Sequence, residues 1–197
     1  MWSCRASGVL FRWCAVDVRA LAEQPTLTGS LVDLEPTSER HLAGLLPLFA
    51  EPEELDGPLG NVAYARARRA LEAAQGRSDR ADWAIVLRDT GRVVGEAVLF
   101  DLDEANESME FRIALVAPEV FDRGYGTEVT RLVRNFGFSV LGLHRLSLHV
   151  SAANSRALRV YEKAGFVLEG RRRAVTRVDG QWIDELDLAL LAGDPRP

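Results

Sequence analysis

The chain has 197 residues, enough for one domain with a full hydrophobic core. Hydrophobic residues make up 47% and charged residues 27%, which excludes a disordered chain, and no apolar run reaches the length of a bilayer span. A net charge of −5 leaves no broad basic surface, so nucleic acid and membrane partners are not expected, and amine ligands are mildly favoured. Cys4 and Cys14 make no disulfide framework, which fits a reducing, cytoplasmic home.

Arg5, Arg12 and Arg19 interrupt any signal-peptide core, and residues 1–27 are expected to be a poorly ordered extension or a start-site artefact. One domain is expected over 28–192, with a frayed tail at 193–197. Residues 30–35 alternate as a first strand. Thr37 or Ser38 then caps a helix through Leu42, Leu45 and Leu46, which Pro47 kinks or ends. Residues 51–60 read as a loop whose Glu51, Glu53, Glu54 and Asp56 form a solvated acidic cluster. A second helix spans about 61–75 and stops at Gly76.

Residues 82–101 form a hairpin turning at Asp89-Thr90-Gly91. A strand over about 108–117 places Glu110, Arg112, Ala114 and Val116 on one face and Phe111, Ile113, Leu115 and Ala117 on the other. The helix after Gly126 carries a core stripe of Val129, Leu132, Val133, Phe136 and Val140, and ends at Gly142. The strand at 144–151 puts Leu146, Leu148 and Val150 opposite Arg145, Ser147 and His149. Strand, helix and strand of this length imply a right-handed parallel crossover. Asn154 caps a short helix closing at Gly165, and two long strands turn at Asp179-Gly180. Cross-strand pairing of Arg171-Arg172-Arg173 with Asp184, Glu185 or Asp187 accounts for that basic run. The sum is a mixed, mostly antiparallel sheet of seven strands with about four helices.

Within this order, MEFRIALVAPEVFDRGYGTE (109–128) is a strand, a turn, two glycines and a helix start. Backbone N–H groups at such a junction are unpaired, the helix dipole adds positive charge, and Gly124 and Gly126 leave the backbone open to an anion. Residues 123–128 are therefore expected to cradle a phosphate. A P-loop would need Lys-Ser/Thr where Thr127-Glu128 stands, and a dinucleotide fingerprint would need a third glycine where Val129 stands. Without further signal, a plain helix start explains the two glycines.

The further signal is the block LGLHRLSLHVSAANSRALRVYEKAGF, ending at Phe166. With Gly124 and Gly126, the positions of Asn154, Tyr161 and Gly165-Phe166 resemble the GCN5-related N-acetyltransferase (GNAT) family, in its ribosomal-protein and spermidine-type branch. The first position of the Gln/Arg-x-x-Gly-x-Gly/Ala signature is Phe121 here, a departure known in that branch. The resemblance is strong over about 80–190 and absent over 1–25. It implies the acyl-CoA N-acyltransferase fold, with two parallel strands splayed apart so that the pantetheine arm of acetyl-CoA enters like an extra strand.

That resemblance assigns Leu115, Val116, Arg123, Gly124, Tyr125, Gly126, Thr127 and Asn154 to coenzyme A. Tyr161 is implied as the acid that protonates the departing sulfur. The base is left open between Glu110 and His149, an imidazole having a useful unperturbed pKa. Asp184 resembles an acidic acceptor position but could instead pair with Arg172 or Arg173. Trp83 and Trp182 are core or rim aromatics. No metal is expected, since the three histidines and two cysteines show no closely spaced ligand set.

Acyl transfer to an amine needs a proton acceptor, oxyanion donors, an acid for the leaving group and held reactants. The expected protein is an acetyl-CoA-dependent enzyme acting on a protein N-terminus or a small amine, with homodimerisation left open. The alternatives are a catalytically inactive acyl-CoA-binding sensor or scaffold and a nucleotide-binding domain.

Overall fold

The computed structural model describes residues 16–49, 60–178 and 180–196, of which 60–63 only by their backbone. Eight strands form one sheet: β1 (Leu27–Thr28), β2 (Val32–Pro36), β3 (Ala81–Leu87), β4 (Val93–Asp103), β5 (Ser108–Leu115), β6 (Arg145–Ser151), β7 (Val167–Val178) and β8 (Gln181–Leu191). Their spatial order is β1-β2-β3-β4-β5-β6-β8-β7. Neighbours are antiparallel throughout except β5 and β6, which run parallel. The described helices are α1 (Val18–Glu23), α2 (Leu42–Leu45), α3 (Gly60–Ala74), α4 (Tyr125–Asn135) and α5 (Ser155–Lys163).

The expected mostly antiparallel sheet with one parallel pair is present, with eight strands instead of seven. The extra strand is the two-residue β1, too short for alternation to reveal. The extra helix is α1, which lies in the stretch expected to be poorly ordered. Asp17 caps it by accepting from the Ala20 N–H at 3.0 Å, Leu21 is fully buried, and the Asp17 N–H donates to the Leu141 carbonyl at 2.9 Å. Residues 1–15 and the acidic cluster at 51–56 lie outside the described residues.

α1, α4 and the segment after α4 lie on one face of the sheet, with Trp83 of β3 meeting Phe136 edge-on at 5.4 Å. α2 lies against β4 on the other face and touches α3. The fit of α2 is close: a Cβ on Gly44 would come within 2.6 Å of the Val93 Cβ. β3 is covered on both faces and buries Trp83, Ala84, Ile85, Val86 and Leu87 in succession. Its Trp83 Nε1 donates to the Pro25 carbonyl at 2.9 Å, so that ring belongs to the core.

Two local expectations change. Ser38 does cap a helix, but the segment is a 3-10 turn (Glu39–His41), α2, then a second 3-10 turn (Leu46–Leu48) containing Pro47. After α4 the helix widens into a π segment, Phe136–Leu141. The wider turn moves the core position by one residue, so Leu141 is buried and Val140 is 49% exposed instead of completing the stripe.

Candidate active site

β5 and β6 are in parallel register only over Ser108–Glu110 and Arg145–Ser147. Beyond that point the strands part. On its other side β5 stays paired with β4, and the Val116 N–H donates to the Val94 carbonyl at 3.0 Å. Hydrogen-bonding direction alternates along a strand, so the backbone of Leu115 and Ile113 faces the gap while that of Val116 faces β4. Of the two backbone positions expected to meet a ligand arm, Leu115 faces the gap, whereas the Val116 N–H is taken by β4. A cavity of about 620 Å³ fills the gap; Glu110, Leu115, Phe121, Gly124–Thr127, His149, Asn154 and Tyr161 line it, while Val116 and Arg123 do not. The Arg123 side chain turns away and donates to the Glu119 carbonyl at 2.9 Å.

The N-terminus of α4 opens into this cavity. Gly124 at the cap has φ of +85°, a left-handed conformation that favours glycine, and no side chain caps the helix. The N–H groups of the first turn therefore point outward without intrahelical partners. Packing alone does not demand glycine at 126, because a Cβ there would lie 3.7 Å from Val160, an ordinary contact. Its effect is to leave the backbone accessible to an anion. Glu128, one turn in, faces away from the cavity. Its carboxylate accepts from Ser30, Leu31 and Val32 N–H at 2.7, 2.8 and 3.0 Å, tying the β1–β2 turn to α4. Gly29 is tightly enclosed there, since a Cβ would come within 2.7 Å of the Glu128 Cδ.

α5 forms the facing wall. Asn154 Oδ1 accepts from the Ala157 N–H at 3.0 Å, so the side chain caps the helix and leaves its amide NH₂ for the cavity. Arg156, Arg159 and Lys163 also line the cavity. They recur at i, i+3 and i+7, one helical face, a basic stripe that helical spacing in the sequence could have revealed. The Arg156 guanidinium lies 3.8 Å over the Phe121 ring. Position 121 thus contributes a ring that holds a cation from α5, where the family signature has Gln or Arg. Arg134 of α4, 6% exposed, donates to the Ala164 carbonyl at 2.9 Å and so ties α4 to the end of α5.

Tyr161 is 5% exposed, edge-on to Phe111 at 6.4 Å and tilted against Phe166 at 5.9 Å. Burial pushes its phenol up to about 12. The phenol is therefore protonated at ordinary pH, and Tyr161 borders the cavity.

Glu110 and His149, the two proposed bases, are neighbours across the gap. His149 Nε2 lies 3.3 Å from Glu110 Oε1, and His149 Nδ1 lies 2.9 Å from Asp187 Oδ1. Glu110, His149 and Asp187 also line a second cavity of about 310 Å³, together with Glu169 and Arg145. Asp184 lines neither cavity. It accepts from Arg171 Nε at 2.7 Å and from the Ala174 N–H at 2.8 Å. Those two donors hold its carboxyl below the usual range. Arg172 pairs instead with Glu185 and Asp187. Trp182 is 62% exposed near the β7–β8 turn, far from a core role. Among the described residues there is no cluster that could hold a metal ion.

A sheet divided at its one parallel pair, with a glycine-opened helix N-terminus at the division, defines the acyl-CoA N-acyltransferase architecture. Residues 32–167 match the sequence model of the acetyltransferase (GNAT) domain, and the chain belongs to that family. It is 28% identical over 112 residues to spermidine N(1)-acetyltransferase of Escherichia coli, covering 57% of this chain and 60% of that protein. It is 30% identical over 107 residues to the Vibrio cholerae enzyme of the same name, covering 54% of this chain and 61% of that protein. The matched part thus spans about three fifths of these relatives. A probable GNAT-family acetyltransferase from Chromobacterium violaceum superposes with a TM-score of 0.74 at 21% identity, over 98% of both chains. The Vibrio cholerae spermidine N-acetyltransferase in complex with CoA and spermine gives 0.69 at 21% identity, over 83% of this chain and 97% of that one.

Proposed function

We propose that the protein is an acetyl-CoA-dependent N-acetyltransferase that transfers the acetyl group directly to a primary amine, with residues 28–192 acting as one catalytic domain. The observation that carries this reading is the convergence of three features on one cavity: the free β5 edge at Ile113 and Leu115, the uncapped α4 N-terminus, and the buried Tyr161 phenol. Bound acetyl-CoA would supply an activated thioester. The open backbone at Gly126 and the basic face of Arg156, Arg159 and Lys163 suit its diphosphate. The Leu115 backbone and the Asn154 amide suit the two amides of its arm. The catalytic roles follow from the same lining. Glu110 and His149 take the proton that the amine must lose, and Tyr161 donates one to the departing sulfur.

Acceptor chemistry is supported by the second cavity, whose carboxylates Glu110, Glu169 and Asp187 favour a cationic amine. The spermidine N-acetyltransferase relatives support the same class. A protein N-terminus remains the other acceptor to compare. The exposed edge strand β7, with Val167, Leu168, Val175 and Val178 at 42% to 56% exposure, supports association with a second copy. No described helix is long and apolar enough to cross a membrane, which accords with a cytoplasmic site of action.

The test is calorimetric titration with acetyl-CoA, ATP and NAD separately, followed by free-thiol detection with spermidine, spermine and an N-terminal peptide. Micromolar binding of acetyl-CoA alone, with thiol release dependent on an amine, is expected. No binding of acetyl-CoA at millimolar concentration overturns the reading. Light scattering of the same sample tests the dimer.

A further inference from the structure

Asp187 lies outside the family signature and outside the larger cavity, yet it makes the shorter of the two contacts to His149. Its Oδ1 accepts from Arg172 Nε at 2.8 Å as well, so the carboxylate is itself held in place from β7. Arg172 also reaches Glu185 at 3.0 Å, which ties the hairpin into the same network. The charged groups around the imidazole are therefore Glu110 on β5, Asp187 on β8 and Arg172 on β7, with the Arg145–Glu169 pair at the far wall of the smaller cavity.

A carboxylate accepts hydrogen bonds and never donates them. A neutral imidazole has one N–H, and at 2.9 Å against 3.3 Å the Asp187 contact is the better claim on it. That tautomer carries its proton on Nδ1 and leaves the Nε2 lone pair beside Glu110, the one other residue shared by both cavities with His149. We infer that Asp187 is a positioning residue for proton removal from the acceptor amine: it fixes the Nδ1–H tautomer and ring orientation of His149, and Arg172 fixes Asp187.

The inference rests on the acetyltransferase reading and balances as a proton transfer. An ammonium N–H bond breaks, its electron pair stays on the amine nitrogen, and the proton joins Nε2, directly or through one water. The resulting imidazolium then donates to Asp187 on one side and Glu110 on the other, and both contacts become satisfied bonds. Asp187 takes no proton at any point; it holds the ring and neutralises the charge that forms.

The test uses the full chain and the acceptor amine found in the thiol-release screen. Asp187→Asn should lower kcat roughly tenfold to a hundredfold, less than the roughly 10²–10⁴-fold that loss of an acid–base group itself costs. The acid limb of its pH–rate profile should move, while acetyl-CoA affinity stays unchanged. In an Asp187→Asn/His149→Gln double variant the Asp187 change should add nothing to the His149 loss, as expected for groups acting as a unit. Equal rates for Asp187→Asn and wild type overturn the inference, and so do effects that multiply in the double variant. An independent arm needs no variant: nitrogen NMR of the wild-type His149 ring should show the neutral form protonated on Nδ1. A proton on Nε2 overturns the inference even if Asp187→Asn fails to fold. Wild-type protein that binds acetyl-CoA but acetylates no amine overturns the parent reading and this role with it, whereas an active enzyme indifferent to Asp187 overturns the role alone.

Discussion

β3 and β7 are strands of the same sheet, and they are held by different forces. β3 sits between two strands with helices over both faces, and five residues in succession, Trp83 to Leu87, are buried. β7 has one neighbour, and nearly every residue along it is exposed. Burial secures β3, while β7 depends on its ladder with β8 and on paired charges such as Arg171–Asp184 and Arg172–Asp187. The difference teaches where function can sit. The closed half of the sheet is secured by apolar burial, and the side chains that line the cleft gather where β5 and β6 part and beyond them.

The largest expected effect breaks the closed half. Trp83→Ala should cost about 3–5 kcal/mol from cavity formation, read as a lowered denaturation midpoint in urea. The next targets the boundary between the halves. Tyr161→Phe should slow transfer by roughly 10²–10⁴-fold while leaving the melting temperature almost unchanged, because the hydroxyl makes no hydrogen bond among the described residues. A Phe variant as fast as wild type removes Tyr161 from the mechanism. Because burial raises the phenol from 10.0 to about 12, its stabilising contribution is whole below pH 10 and is lost as the pH rises through 12. The pH–rate profile should accordingly show no alkaline limb from Tyr161 in the ordinary range.

A smaller effect is confined to the cleft. Gly126→Val should weaken acetyl-CoA binding by about tenfold, near 1.4 kcal/mol, since a Cβ there meets Val160 at an ordinary 3.7 Å and the added methyls crowd the ligand. Calorimetry on the variant decides it; unchanged affinity would return α4 to an ordinary helix start. The smallest effect lies in the open half. Asp184→Asn should cause only a slight loss of stability that disappears in 1 M salt, because the Arg171 side chain opposite is 62% exposed. The Ala174 N–H and Arg171 hold the Asp184 carboxyl below its ordinary value. Its contribution is therefore present above the unfolded carboxyl's pKa and fades as the pH falls through the lowered one. Melting curves of wild type and variant should converge in acid.

Most elements were legible because their signals are local. Alternation sorts the faces of β5 and β6 correctly, with Glu110 opposite Phe111 on one strand and His149 opposite Leu148 and Val150 on the other. Gly124, Gly126, Asn154 and Tyr161 stand at spacings that one strand–helix–strand unit must bring together, and all four line one cavity. The local signal failed where an element was short or a helix changed pitch: β1 has two residues, α1 has six, and the π segment exchanged Val140 for Leu141.

What the sequence determined by itself was the order of elements, the parallel crossover and the opened helix start, because periodicity, glycine and capping residues act over a few positions. What only the tertiary structure decided was pairing between distant side chains. The register of β6 against β8 set His149 opposite Asp187, across 38 positions of chain, and no local pattern encodes that. Strand direction turned the Leu115 backbone to the cleft and the Val116 N–H to β4. Packing of α5 over β5 gave Tyr161 its burial and its raised pKa. Such features follow from which surfaces meet, and that is fixed by the whole core at once.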